Sequence, residues 1–227
     1  MFYGYSNFLI LVPALIVSFW AQTKVSSTFE KYSKVYSMSG LTGAQTARML
    51  LDTSGLYDIP VEVVPGRLSD HYDPRSRVMR LSKEVFYGTS VASIGVAAHE
   101  TGHAIQHKLK YAPLTIRNSI IPLVNISSNL SWGLFVLGLV LGWANLINFG
   151  ILLFSAVVVF QLITLPVEFN ASKRAITILS DKGILYTNEL SGAKAVLDAA
   201  AMTYVAAALM AVSQLLRLIM MSNRNSD

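Results

Sequence analysis

With 227 residues, 53% of them hydrophobic and only 14% charged, the chain is long enough for a core but too apolar for an ordinary water-soluble domain. A formal charge of +5 would admit nucleic acid as a partner, but the basic residues are scattered among acidic ones and form no block. The lipid bilayer, with its anionic lipids, is the expected partner instead, and nucleic acid is not. The absence of cysteine excludes disulfides, thiolate metal sites and a cysteine nucleophile, so any metal must be held by histidine and carboxylate.

The first apolar run, residues 8–21, has no basic residue before it and ends at Trp20-Ala21 without a signal-type flank. That pattern predicts an uncleaved transmembrane helix over residues 1–23. Residues 24–111 form the only sizeable polar region. Within it, Leu41-Thr42-Gly43-Ala44 opens a stretch with apolar residues at helical spacing that stops near Gly55. Residues 60–64 alternate and are β-branched, residues 70–76 are turn-forming, and Arg77-Val78-Met79-Arg80-Leu81-Ser82 is again strand-like. Together they read as a short β-hairpin turning at Asp73-Pro74. From Ser90 to Pro113 small and apolar residues predict a helix.

No charged residue occurs over residues 118–167. At about 20 residues per crossing, that stretch fits a transmembrane hairpin over residues 114–167, turning around residues 143–148. Gly138 and Gly142 form a G-x-x-x-G in its first arm, suited to close helix packing, either inside the chain or between chains. A polar segment, residues 168–198, and a last apolar helix, residues 199–221, complete the chain. Twelve Lys and Arg lie from Lys24 to Arg117, four from Lys173 to Lys194, and none in the hairpin turn. The positive-inside rule therefore places both polar segments in the cytoplasm. The expected class is a mainly α, multi-pass cell-membrane protein: one membrane-integrated domain with about four transmembrane helices and a small α+β cytoplasmic region.

The predicted helix after Ser90 contains His99-Glu100-Thr101-Gly102-His103, an H-E-x-x-H. Residues four apart on a helix are rotated by about 40° and separated by about 6 Å along the axis, so both imidazoles can meet one Zn²⁺. Glu100, beside the first of them, is placed to act as general base toward a water activated by the metal. A buried polar patch is the bland reading of those five residues. A catalytic zinc takes three protein ligands and keeps one position open, whereas a structural zinc closes with four. His107, His71 and an acid elsewhere are the candidates for the third. His107 stands about 12 Å further along the helix than His99, which is far for one ion to bridge. Glu168 directly follows Pro166-Val167 as the first charge after the uncharged stretch. Such an acid is costly unless solvated, paired or metal-bound, and snorkelling to the interface competes with a ligand role.

Five blocks carry a resemblance: Leu41-Thr42-Gly43-Ala44, Asp70-His71-Tyr72-Asp73-Pro74-Arg75, the residues from Val96 to His107, Pro166-Val167-Glu168-Phe169-Asn170-Ala171-Ser172, and the residues from Leu197 onward. In order and over almost the whole chain, they resemble the YugP-type neutral zinc metallopeptidases of bacterial membranes. That resemblance implies one Zn²⁺ per chain on His99, His103 and Glu168, Glu100 as general base, and hydrolysis of peptide bonds in membrane or membrane-proximal proteins. More distantly, the layout is similar to the HtpX-type membrane peptidases, in which an E-x-x-A-D segment follows the hairpin. Glu168 and Ala171 match that segment, but Ser172 replaces the aspartate, which weakens any supporting role for that position. The same comparison implies that residues 77–82 form the sheet edge to which an extended substrate adds. It also makes His71, Tyr72, Asn170 and Arg174 candidate oxyanion donors, with His107 beside the site. Asp70 and Asp73 read equally well as turn formers. The alternative function is a non-catalytic membrane scaffold with a structural zinc, which requires His71 or His107 as a fourth ligand. A channel or transporter is disfavoured, because the hairpin carries no ionisable residue at mid-depth.

Overall fold

The computed structural model describes residues 6–223. Its elements, in chain order, are α1 (Ser6–Leu9), α2 (Val12–Ser33), α3 (Gly43–Thr53), β1 (Val61–Val64), β2 (His71–Asp73), β3 (Val78–Ser82), α4 (Lys83–Tyr87), α5 (Val91–Lys108), α6 (Ala112–Leu141), α7 (Ala144–Asp181) and α8 (Thr187–Asn223). Two compact units divide the chain. One comprises Met1–Gln22, Pro113–Pro166 and Thr203–Asp227, the other Thr23–Ala112 and Val167–Met202.

In the second, polar unit, α3 starts where the sequence allows a complete capping box. The Thr42 hydroxyl accepts from the Gln45 amide, and the Gln45 side chain accepts from the Thr42 amide. The strands form one sheet in the order β1-β3-β2, with β1 parallel to β3 and β2 antiparallel to it. The hairpin is therefore β2 with β3, not residues 60–64 with residues 77–82. Local polar groups explain the choice. Asp73 accepts from the Arg75 amide at 2.9 Å and the Ser76 hydroxyl at 2.6 Å, which folds the turn. Asp70 accepts from the amide of Ser82 at 2.7 Å and from its hydroxyl at 3.2 Å, which ties the start of β2 to the end of β3. β1 lies on the opposite side of β3 and pairs with it in parallel. The strand expected at the edge is thus the central one, flanked on both sides and largely buried.

Ser90 caps α5 by accepting from the Ser93 amide. That helix is buried almost all round because it belongs to two core clusters: Ala92, Ala97 and Ala104 pack with Leu51, Met79 and Leu81, while Val91, Ile94 and Ala98 pack with Leu50, Leu179 and Leu185. Alanine and glycine on its surface let neighbouring helices come close. A Cβ on Gly102 would lie 2.7 Å from the carbonyl oxygen of Ala171 on α7, nearer than van der Waals contact permits.

In the other unit, α6 and α7 are joined by Gly142 and Trp143, slightly earlier than the sequence suggested. Gly142 has φ of 62° and ends α6, a left-handed position that suits glycine. Gly138 instead serves packing, since a Cβ there would meet the Ile147 backbone nitrogen at 2.8 Å. Phe135, Ile147 and Leu218 make the small core of this unit. Among the described residues three helices, α6, α7 and α8, are long and apolar enough to cross a membrane, not four. The expected first span, residues 1–23, is not one of them. Its residues 1–5 lie outside the described residues, and α2 runs on without a break through Thr23, Lys24, Glu30 and Lys31. The apolar part of α2, Val12 to Ala21, reaches about 15 Å, half the hydrocarbon thickness of about 30 Å.

Candidate metal centre

Two helices of the polar unit supply the site. His99 and His103, one turn apart on α5, bring their Nε2 atoms to 3.1 Å from each other. From α7, the Glu168 Oε2 atom lies 3.3 Å from Nε2 of His99 and 3.4 Å from Nε2 of His103. Ligands about 2.0 to 2.1 Å from a tetrahedral zinc are spaced about 3.3 Å from one another, so this triangle matches one face of a zinc tetrahedron. Two imidazole nitrogens and a carboxylate oxygen are also donors that suit that ion. Among the described residues this is the group of His, Asp and Glu able to hold a metal. Glu168 is 3% exposed. Its approach depends on the absent side chain of Gly102, which lets α7 lie against α5 one turn past Glu168.

The orientation of both imidazoles is set by groups behind them. The Gln106 side-chain nitrogen donates to the Val167 carbonyl at 2.8 Å and to Oδ1 of Asn170 at 3.0 Å, which leaves its oxygen as acceptor. That oxygen lies 3.0 Å from Nδ1 of His103. His103 therefore carries its proton on Nδ1 and turns the Nε2 lone pair toward Glu168 and His99. On the other ring, Nδ1 of His99 lies 3.1 Å from the Ser172 hydroxyl, one turn beyond Glu168 on the same face of α7. Ser172 thus supports a histidine despite replacing an aspartate, and Gln106 was not anticipated at all. Both follow from helical spacing: Gln106 is three residues after His103, and Ser172 is four after Glu168.

Glu100 is 7% exposed, and its Oε2 accepts from the Tyr72 amide at 2.9 Å. The edge strand β2 therefore holds this carboxylate. Burial opposes protonation of His103, but Glu168, Glu100 and Gln106 outweigh it and raise its pKa. The site thus attracts a cation, the same electrostatics that favour a metal ion. Burial pushes Asp70 up against the pull of the Ser82 amide, and burial likewise raises the Tyr72 phenol, which stays neutral. Asp73 is drawn down to about 2 by the Ser76 hydroxyl and the Arg75 amide.

The remaining candidates have other partners. The Tyr72 hydroxyl and Nδ1 of His107 are 2.9 Å apart. His71 is exposed, with Nδ1 at 2.8 Å from the Ser69 carbonyl. Oδ1 of Asn170 accepts from Nε of Arg174 at 2.7 Å as well as from Gln106, which ties these two residues into the support of His103. Neither His71 nor His107 belongs to the donor group.

Comparison with known proteins agrees with this chemistry. A family model described as "Putative neutral zinc metallopeptidase" matches residues 7–223. A relative from Bacillus subtilis (strain 168), described as "Putative membrane protease YugP", is 57% identical over 218 residues, covering 96% of this chain and 97% of its own. No solved structure matches the chain. The match spans nearly every residue, including the helices that bring His99, His103 and Glu168 together, and the chain belongs to this neutral zinc metallopeptidase family.

Proposed function

We propose that the protein is a membrane-bound zinc metalloendopeptidase, with one Zn²⁺ per chain held by His99, His103 and Glu168 and with Glu100 as general base. The observation that carries this reading is the three-donor triangle, its edges 3.1, 3.3 and 3.4 Å. Three donors rather than four favour a catalytic over a structural zinc. When bound, zinc would polarise the scissile carbonyl and acidify a water. Glu100 takes the proton of the attacking water and hands it to the leaving amine. The Tyr72 amide keeps the carboxylate in one orientation for both transfers. Gln106 holds His103 in the tautomer that frees its Nε2 atom, and Ser172 gives Nδ1 of His99 a hydrogen-bonding partner. An extended substrate would lie along β2, the edge strand that touches Glu100.

The substrates we propose are membrane proteins or their membrane-proximal segments. Glu168 follows the apolar part of α7 within the same helix, so its chain position is at the end of a crossing. Two crossings separate residues 24–111 from residues 168–198, which puts both polar segments on one side of the bilayer. Their fifteen Lys and Arg favour the cytoplasmic side. The test uses full-length protein in micelles, with zinc measured by elemental analysis and hydrolysis by release of peptide fragments. Glu100→Gln retains about one zinc while hydrolysis falls by about 10² to 10⁴-fold. Undiminished hydrolysis in that variant would remove Glu100 from the mechanism.

A further inference from the structure

Away from the metal centre, the polar unit has a cavity of about 300 Å³ lined by Lys24, Ser27, Thr28, Lys31 and Tyr32 of α2 and by Ala195 of α8. Lys24 and Lys31 are seven residues apart, which on a helix returns to the same face about 10 Å further along. Both ammonium groups can therefore lean toward one point between them. Neither forms an ion pair with a carboxylate among the described residues. The acids next in the chain are taken: Glu30 is held by Lys34 at 2.9 Å, and Asp198 by Lys194. Lys31 sits instead over the Tyr32 ring, 5.0 Å from its centre, a contact that does not neutralise it. The wall opposite the lysines is Ala195, with Gly192 packed against Tyr32 one turn earlier, so α8 contributes space rather than charge.

The cavity has a defined place along both helices. Lys24 comes three residues after the apolar run of α2, and Ala195 four residues before the alanine-rich apolar run of α8. Lysines at that level of a membrane protein meet lipid phosphates, and a basic pocket between two helices is the form in which headgroups are bound. We infer that the Lys24–Lys31 cavity is a binding site for a phosphate-bearing anion, the chemistry presented by an anionic lipid headgroup. The two ammonium groups neutralise the phosphate, with Thr28 and Tyr32 completing the lining between them. This site is independent of the peptidase reading, because occupancy requires neither zinc nor Glu100.

Native mass spectrometry of the full chain, released from micelles doped with phosphatidylglycerol or with phosphatidylcholine, tests it. Wild-type protein retains phosphatidylglycerol in preference to phosphatidylcholine. Replacing both lysines, Lys24→Gln with Lys31→Gln, lowers that retention by about tenfold to thirtyfold, as expected for two near-surface lysines. Ser27→Glu leaves both lysines in place but supplies an internal carboxylate, and it lowers retention in the same way, while Lys182→Gln does not. Inorganic phosphate, added as a competitor, separates the sources: displacement of the lipid shows that the phosphate group alone is read, and no displacement shows that the lipid is the ligand. Equal retention of the two lipids by wild-type protein, or wild-type retention in both cavity variants, would overturn the inference.

Discussion

The polar unit and the apolar hairpin bury opposite things. In the polar unit Leu50, Leu51, Met79, Leu81 and Ile94 are fully buried, while no Lys, Arg or Asp among the described residues is, as in a protein surrounded by water. Along α6 and α7, Leu137, Val140, Leu152 and Val159 are exposed, whereas Ser127 and Ser131 are buried. Only 28% of the most apolar stretch of α6 is buried, and 17% of that of α7. A water-soluble fold could not leave so much leucine and valine uncovered, and serine buried among helices is what membrane packing uses. The difference teaches that the hydrophobic effect holds the polar unit together through a large core of its own, while the hairpin has only the small Phe135–Ile147–Leu218 core and leaves most of its apolar surface uncovered.

Substitutions that read the two surroundings directly can break this comparison. The largest expected effect is that of Leu81→Ala, which opens a cavity in the polar unit and costs about 2 to 5 kcal/mol, seen as a lowered unfolding midpoint in micelles. A cost near zero would mean that this core does not carry the fold. Next comes Ser172→Ala, which removes the partner of His99 without touching a ligand. Zinc affinity then falls by about 10 to 100-fold in a chelator competition, with the unfolding midpoint of the zinc-free protein unchanged. An unchanged affinity would show that the serine is a bystander. The smallest effect is that of Leu152→Ala, a residue 65% exposed on α7, whose cost should stay within about 0.5 kcal/mol in the same unfolding assay. If it approached the cost of Leu81→Ala, that face of the hairpin would be covered by a protein partner.

What the sequence disclosed and what it withheld divide by range. The His99 and His103 pair needs only helical spacing, and the uncharged stretch needs only a count, so both are legible locally. Glu168 stood out because no charge precedes it back to Arg117. The strand order was not legible, because it depends on Asp70 reaching Ser82 across twelve residues and on β1 passing to the far side of β3. The first span was overestimated for a different reason: its apolar run stops at Ala21 while the helix does not. Gln106 lay on a predicted helix and Ser172 in the polar segment after the hairpin, but their roles required knowing which helix would face them.

The hydrogen bond between Ser172 and His99 joins residues 73 apart, and that between Gln106 and Val167 joins residues 61 apart. Between those attachment points runs the entire uncharged stretch, so the metal group fastens both ends of one large loop of chain. Closing such a loop costs entropy that grows only slowly with its length, and an ion binding the closed form offsets that cost in proportion to the logarithm of its concentration. The zinc would then be a clasp as well as a reagent, and how firmly the two polar segments are fastened would follow the supply of metal.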